Sequence, residues 1–194
     1  MIFQFNKNIV KVLSVFATSP GSNLQRNKIQ EFTGINNIVL DKTLTRLCNS
    51  KILKKQKRFY AFNNSSKEAK SILKKISEDY HKLKDLPLRI YSLLIDLVFE
   101  FIELKNIGEV ILFGSYSKLV YTKNSDIDIA IISEKPNKKE INNIIKKIKK
   151  RYNKKIEVHY FKRNFYKNKK DPLVKEILRD GVKLIEKNKN KEIQ

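Results

Sequence analysis

The stretch "LFGSYSKLVYTKNSDIDIAI", Leu112 to Ile131, decides how this chain is read. A Gly114-Ser115 pair closes one apolar run, and after a spacer of ten residues Asp126 and Asp128 sit inside another. Side chains on a strand alternate between its faces with a period of two. The pattern therefore puts Asp126 and Asp128 on one face and Ile127, Ile129 and Ile131 on the other. Two neighbouring anions on a mostly buried strand repel each other and resist desolvation. They require a cation. Structural salt bridges to the nearby lysines are one way to supply it.

The Gly-Ser pair favours a second way. Glycine lets backbone approach a ligand closely, and the N–H groups of a tight turn cradle phosphate oxygens. The Ser115 hydroxyl adds a hydrogen bond. Phosphate donors on one side and paired carboxylates on the other define a site for a metal-bound polyphosphate. Mg²⁺ is held by a few carboxylates together with substrate phosphates and water. Two such ions can flank an in-line phosphoryl displacement.

The surrounding sequence supplies a sheet. "EVILF" ends at Phe113, "DIDIAIIS" begins at Asp126, and both read as buried strands. "KKEINNIIKKIKKRY" carries Ile141, Ile144, Ile145, Ile148 and Tyr152 at helical spacing. "KIEVHYF" is a third strand. "DPLVKEILRDG" is a helix capped by Asp171, with Pro172 in its first turn and Gly181 at its end. "VKLI" adds a short last strand.

At Gly114-Ser115, the spacer and Asp126-x-Asp128, the chain resembles the DNA polymerase β-like nucleotidyltransferases, and within them the minimal nucleotidyltransferases. The resemblance covers about Ile107 to Ile185. It implies ATP or another nucleoside triphosphate as donor, two Mg²⁺ ions, and nucleoside monophosphate transfer with release of pyrophosphate. Some members are antitoxins that adenylylate a tyrosine of a ribonuclease-type toxin; others modify antibiotics or RNA ends. It implies metal binding and catalysis by Asp126, Asp128 and a third carboxylate, for which Glu157 in "KIEVHYF" is the candidate. Alternation puts Glu157 and His159 on one face, and His159 is read as a strand residue rather than a polar wall of the site. Relatives often carry Arg soon after the Gly-Ser pair; here Lys118 stands in that region and is expected to meet the triphosphate without Arg's bidentate fork.

The first 65 residues read differently. Ile9, Val12, Leu13 and Phe16 predict a helix, "TSPGSN" breaks it, residues 27–32 form a second and residues 38–49 a third. "KILKKQKRFYAFN" then gives two short strands around a basic tip. That order is the order of a winged helix-turn-helix. The outward face of the third helix holds Asn37, Lys42, Thr45 and Arg46, and the wing holds Lys57 and Arg58, all suited to DNA. A module of this kind can equally serve protein contacts. Residues 66–106 read as a helical connector: an amphipathic helix bearing Ala69, Ile72, Leu73 and Ile76, then one opened by Pro87 and apolar almost all round.

The expected fold class is α+β: a winged helix-turn-helix over 1–65, a helical connector over 66–106, a polymerase-β-like nucleotidyltransferase α/β sheet domain over 107–187, and a basic tail over 188–194. The net charge of +22 on 194 residues suits polyanionic partners. The excess lies at the two ends, while the connector is nearly neutral. A single cysteine, Cys48, excludes a disulfide framework and fits a reducing compartment. Asp96, Glu100 and Glu103 argue against a membrane span in the most apolar segment. The expectation is a cytoplasmic enzyme with a nucleoside triphosphate, DNA and an acceptor protein (a toxin) as partners, no membrane, and room for a homodimer. The alternative is a DNA-binding transcriptional regulator whose transferase domain is catalytically inactive.

Overall fold

The computed structural model describes residues 5–80 and 83–187, so the expected basic tail over 188–194 lies outside the described residues. The chain divides into two compact units, Met1–Ile95 and Asp96–Gln194.

The first unit runs α1 (Lys7–Thr18), β1 (Asn23–Gln25), α2 (Arg26–Thr33), α3 (Asn37–Asn49), β2 (Leu53–Gln56), β3 (Phe59–Phe62) and α4 (Lys67–Tyr80), followed by the start of α5 (Leu88–Ile102). The Asn36 side chain caps α3 by accepting from the Val39 N–H at 2.9 Å. Gly34, at φ +61°, ends α2 in the left-handed conformation, and its N–H bonds the Gln30 carbonyl at 2.8 Å. Leu40, Leu44 and Leu47 bury the inner stripe of α3 against Val12, Leu13, Phe16 and Ile29. Burying a side chain of this size stabilises by ~1.5–3 kcal/mol.

The three strands form an antiparallel sheet in the order β1-β3-β2. Strand β1 is absent from the sequence reading. Its residues carry no strand pattern and pair only because Phe59, Tyr60 and Ala61 of β3 present a free edge to them. The stripe of α4 also belongs here, since Ala69 and Ile76 are buried in this unit's core with Ile72 and Leu73 packed beside them.

The division between the units falls within α5. The second unit continues with β4 (Glu109–Phe113), the single turn α6 (Gly114–Ser117), β5 (Ile127–Ile132), α7 (Lys138–Tyr152), β6 (Ile156–Phe161), a 3-10 turn (Arg163–Lys167), α8 (Pro172–Asp180) and β7 (Val182–Glu186). Its mixed sheet has the order β6-β5-β4-β7, with β4 antiparallel to β5 and β7, and β5 parallel to β6. Ile127, Ile129 and Ile131 are fully buried, as is Ile141 on the inner stripe of α7. Asp171 caps α8 as its sequence announces, its Oδ1 accepting from the Leu173 N–H at 2.8 Å.

One acid sits deep in this unit. Asp96, 1 % exposed, accepts from Arg151 Nη1 at 2.7 Å and from the Tyr152 hydroxyl at 2.8 Å. These α7 partners satisfy a carboxylate that would otherwise be costly to bury. Among the described residues, no helix is long and apolar enough to cross a membrane.

Candidate active site

Three strand ends meet at one end of the second unit's sheet. β4 finishes at Phe113 and runs into Gly114, while β5 and β6 begin at Ile127 and Ile156. The antiparallel register sets Phe113 beside Asp128. The parallel register sets Asp128 beside Glu157 and Ala130 beside His159. Neighbouring strands lie about 4.8 Å apart, so paired positions place their side chains next to one another on one face. Asp128 thus stands between the Gly-Ser turn and Glu157.

The turn is shaped around Asp128. Gly114 adopts φ +73°, and a Cβ on it would lie 2.2 Å from Asp128 Oδ2 and 3.0 Å from Asp128 Cγ. The carboxylate occupies the space that any other residue at position 114 would fill. Ser115 is half-buried in the first turn of α6, and the Val120 N–H bonds back to its carbonyl at 3.0 Å. Tyr121 stacks flat on Tyr116 at 4.5 Å, and Lys154 donates to the Lys123 carbonyl at 2.8 Å. These contacts pin the ten-residue spacer that returns the chain from the turn to Asp126.

Asp128, Glu157 and His159 each offer a ligand atom, all within 4.8 Å of one another. His159 Nε2 lies 3.4 Å from Glu157 Oε1, and its ring meets the Phe113 ring edge-on at 5.3 Å. Burial, and next the negative charge of Glu157, push the Asp128 carboxyl above the usual carboxylate range; His159 opposes them, while Asp126 and Glu176 add to the rise. A half-buried carboxylate beside like charges is a setting whose strain a cation would relieve.

Asp126 lies at the mouth of this site, beside the paired ends of β5 and β6. β5 starts one residue later, and the Asp126 carboxylate is ion-paired with Lys155 Nζ. The Lys155 carbonyl accepts from the Ile127 N–H at 3.0 Å, which fixes the lysine backbone beside Asp126. Lys118, expected at the triphosphate, is bonded to Glu176 of α8 at 2.6 Å. So the structure gathers Gly114, Asp128 and Glu157, and adds His159. It sets Asp126 and Lys118 at the same edge, each in the hands of a partner the sequence reading did not name. Strand alternation did carry the signal for His159. Nothing local announces Glu176, which reaches Lys118 only through the packing of α8 on α6.

In the first unit, Lys42, Thr45 and Arg46 are exposed on one side of α3. Asn37 is exposed too, but its side-chain oxygen accepts from Arg26 Nη2 at 2.9 Å. Arg26 also grips Asp41, with Nε–Oδ1 at 2.5 Å and Nη2–Oδ2 at 3.1 Å, and holds its carboxyl below the usual range. The one acid on this face is thereby neutralised. Lys57 and Arg58 form the exposed tip of a two-residue hairpin between the paired Gln56 and Phe59, with Lys57 at φ +53°.

Residues 95–184 match the family model described as Nucleotidyltransferase domain. The second unit therefore carries a nucleotidyltransferase domain. Among solved structures it is similar to a toxin-antitoxin crystallised with AMP-PNP, at 18 % identity over 49 % of this chain and 74 % of that one, with a TM-score of 0.37. A mutant of the toxin-antitoxin MntA-HpeT is similar at 19 % identity over 52 % of this chain and 73 % of that one, with a TM-score of 0.33. No curated protein matches the chain significantly.

Proposed function

We propose that this chain transfers a nucleoside monophosphate, AMP in the first instance, from a nucleoside triphosphate to a hydroxyl of a partner protein, in a divalent-metal-dependent reaction. The observation that carries the proposal is the seating of Asp128 against Gly114 with Glu157 alongside in register. The donor set fits a divalent ion. Two carboxylates and an imidazole offer ligand atoms within 4.8 Å of one another, and carboxylates of this kind suit Mg²⁺ or Mn²⁺. Asp126, Asp128 and Glu157 would hold the ions, which when bound supply charge neutralisation for the triphosphate and the entering oxygen.

The protein's own contributions follow from where its side chains lie. Gly114 and the half-buried Ser115 offer backbone and hydroxyl donors to the β- and γ-phosphates, and Lys118 reaches them once it parts from Glu176. Glu157 is the group placed to accept the proton of the acceptor hydroxyl. His159, 3.4 Å from Glu157, orients that carboxylate. The rest is positioning and electrostatics. The partner protein as acceptor, antitoxin-like, rests on the sequence motif's resemblance. A cytoplasmic setting and two ions belong to the same reading.

The test is direct. The protein is incubated with α-labelled ATP, Mg²⁺ and candidate partner proteins, beside an Asp126→Asn/Asp128→Asn variant. Label on a partner hydroxyl with the wild type alone supports the proposal. Absence of transfer with every nucleoside triphosphate and acceptor tried refutes it.

A second reading has its own observation. The exposed Lys42, Thr45 and Arg46, with Lys57 and Arg58 at the hairpin tip, form the polar and basic set that a winged helix-turn-helix offers to DNA. We propose DNA binding by this unit, either beside transfer or, in a regulator with an inactive second unit, instead of it. Absence of label transfer by the wild type, together with intact salt-dependent binding to duplex DNA, favours the regulator; transfer and binding together favour both roles.

A further inference from the structure

The ion pair between Lys155 and Asp126 stands where the proposed chemistry needs a metal. Lys155 is the residue before β6, and Asp126 is the residue before β5. The backbone bond from the Ile127 N–H to the Lys155 carbonyl holds the two side by side. The lysine side chain is 63 % exposed and has open solvent to move into, whereas Asp126 is 26 % exposed. The other two carboxylates lie within electrostatic reach, since Asp126 first, then Glu157 and Asp128, all favour the charged ammonium. Lys155 thus balances part of the site's negative charge from within.

An ammonium and a divalent ion compete for the negative charge of one carboxylate, and their mutual repulsion disfavours holding both there. We propose that Lys155 is a resident counter-ion at Asp126, which a divalent ion must displace to complete the site, and that it thereby sets the site's metal affinity. The inference rests on the metal-dependent reading above. It assigns Lys155 a positioning role: it keeps Asp126 aimed at the sheet end in the metal-free protein and is released toward solvent, and toward any polyphosphate there, when the ion binds. The step is an exchange of ions, and no covalent bond changes.

The experiment measures metal binding, not turnover. Mn²⁺ is titrated into the full chain without nucleotide, and free ion is read by electron paramagnetic resonance. Five variants are compared with the wild type: Lys155→Met, Lys155→Arg, Lys154→Met, Asp126→Asn, and Asp126→Asn with Lys155→Met. The expected result is tighter binding by Lys155→Met, by roughly 2–5-fold, the worth of an exposed ion pair. Lys155→Arg keeps the competing charge and should bind like the wild type. Lys154→Met, which removes an adjacent charge bonded to the Lys123 carbonyl, controls for general electrostatics and should change affinity less. In the Asp126→Asn background, Lys155→Met should add nothing.

Unchanged or weaker binding by Lys155→Met overturns the proposal while leaving the metal site standing. So does an equal gain from Lys154→Met. If no variant, and not the wild type, binds Mn²⁺ at millimolar concentration, the metal-dependent reading fails, and the role of Lys155 fails with it.

Discussion

Replacing Gly114 by alanine tests the reasoning about the site most sharply. Two costs are legible. The residue sits at φ +73°, where a Cβ crowds the following carbonyl, at a cost of ~1–2 kcal/mol. The new methyl would also lie 2.2 Å from Asp128 Oδ2. Restoring an ordinary C···O separation of ~3.3 Å moves the carboxylate by about 1 Å. A strand backbone paired on both sides cannot yield that distance easily, so the side chain must turn away from the turn and from Glu157. A displacement of about 1 Å in a positioning group can cost on the order of 100-fold in rate. Gly114→Ala is therefore expected to lose roughly two orders of magnitude of transfer from α-labelled ATP. Its unfolding midpoint should fall by only about 5–15 °C, the shift that ~1–2 kcal/mol produces in a domain of this size. Gly108→Ala is the matched control: a Cβ there meets the Ile132 carbonyl at 3.2 Å, in the same sheet and with no site group close by. It should lose some stability and keep its activity. Transfer by Gly114→Ala within about threefold of the wild type would refute the claim that this turn seats Asp128.

Four further outcomes follow from the same structure. Asp128→Asn should abolish transfer yet raise thermal stability at neutral pH, because burial and Glu157 penalise the ionised acid in the folded state. The folded carboxyl's pKa is raised, so the penalty is present above it and fades as pH falls through it toward the ordinary range; the stability gap between variant and wild type, read by calorimetry, should shrink on acidification and vanish below the unfolded value. Asp171→Ala removes the cap of α8 and should cost ~1 kcal/mol in denaturant unfolding without touching metal binding. Asp96→Ala removes the acceptor that Arg151 Nη1 and the Tyr152 hydroxyl share and should cost about 1–3 kcal/mol, a loss that sorts it from a surface charge. If the first unit binds DNA, Arg46→Ala should weaken binding and reduce the slope of log affinity against log salt by about one, as measured by anisotropy at several salt concentrations.

Much of the fold was open to a reading of local pattern. The α7 stripe, the Asp171 cap, the strands around Gly114 and Asp128, and the order of helices and hairpin in the first unit are written in periodicity and turn chemistry, which act over a few residues. Strand β1 was not, since its residues have no preference of their own and borrow their conformation from β3. The site divides in the same way. Residue type and spacing marked Gly114, Ser115, Asp126, Asp128 and Glu157, and alternation placed Glu157 with His159.

What the amino-acid order determined unaided, then, is the motif: a glycine turn, a spacer and carboxylates in apolar strands, because each depends on near neighbours in the chain. Only tertiary structure decided who pairs with whom. The β5·β6 register set Glu157 rather than another residue beside Asp128, the meeting of two strand starts handed Asp126 to Lys155, and the seat of α8 handed Lys118 to Glu176. Charges of one sign are abundant here and nearly interchangeable in sequence. Coulombic partners are chosen by distance in space, and no local rule contains that distance.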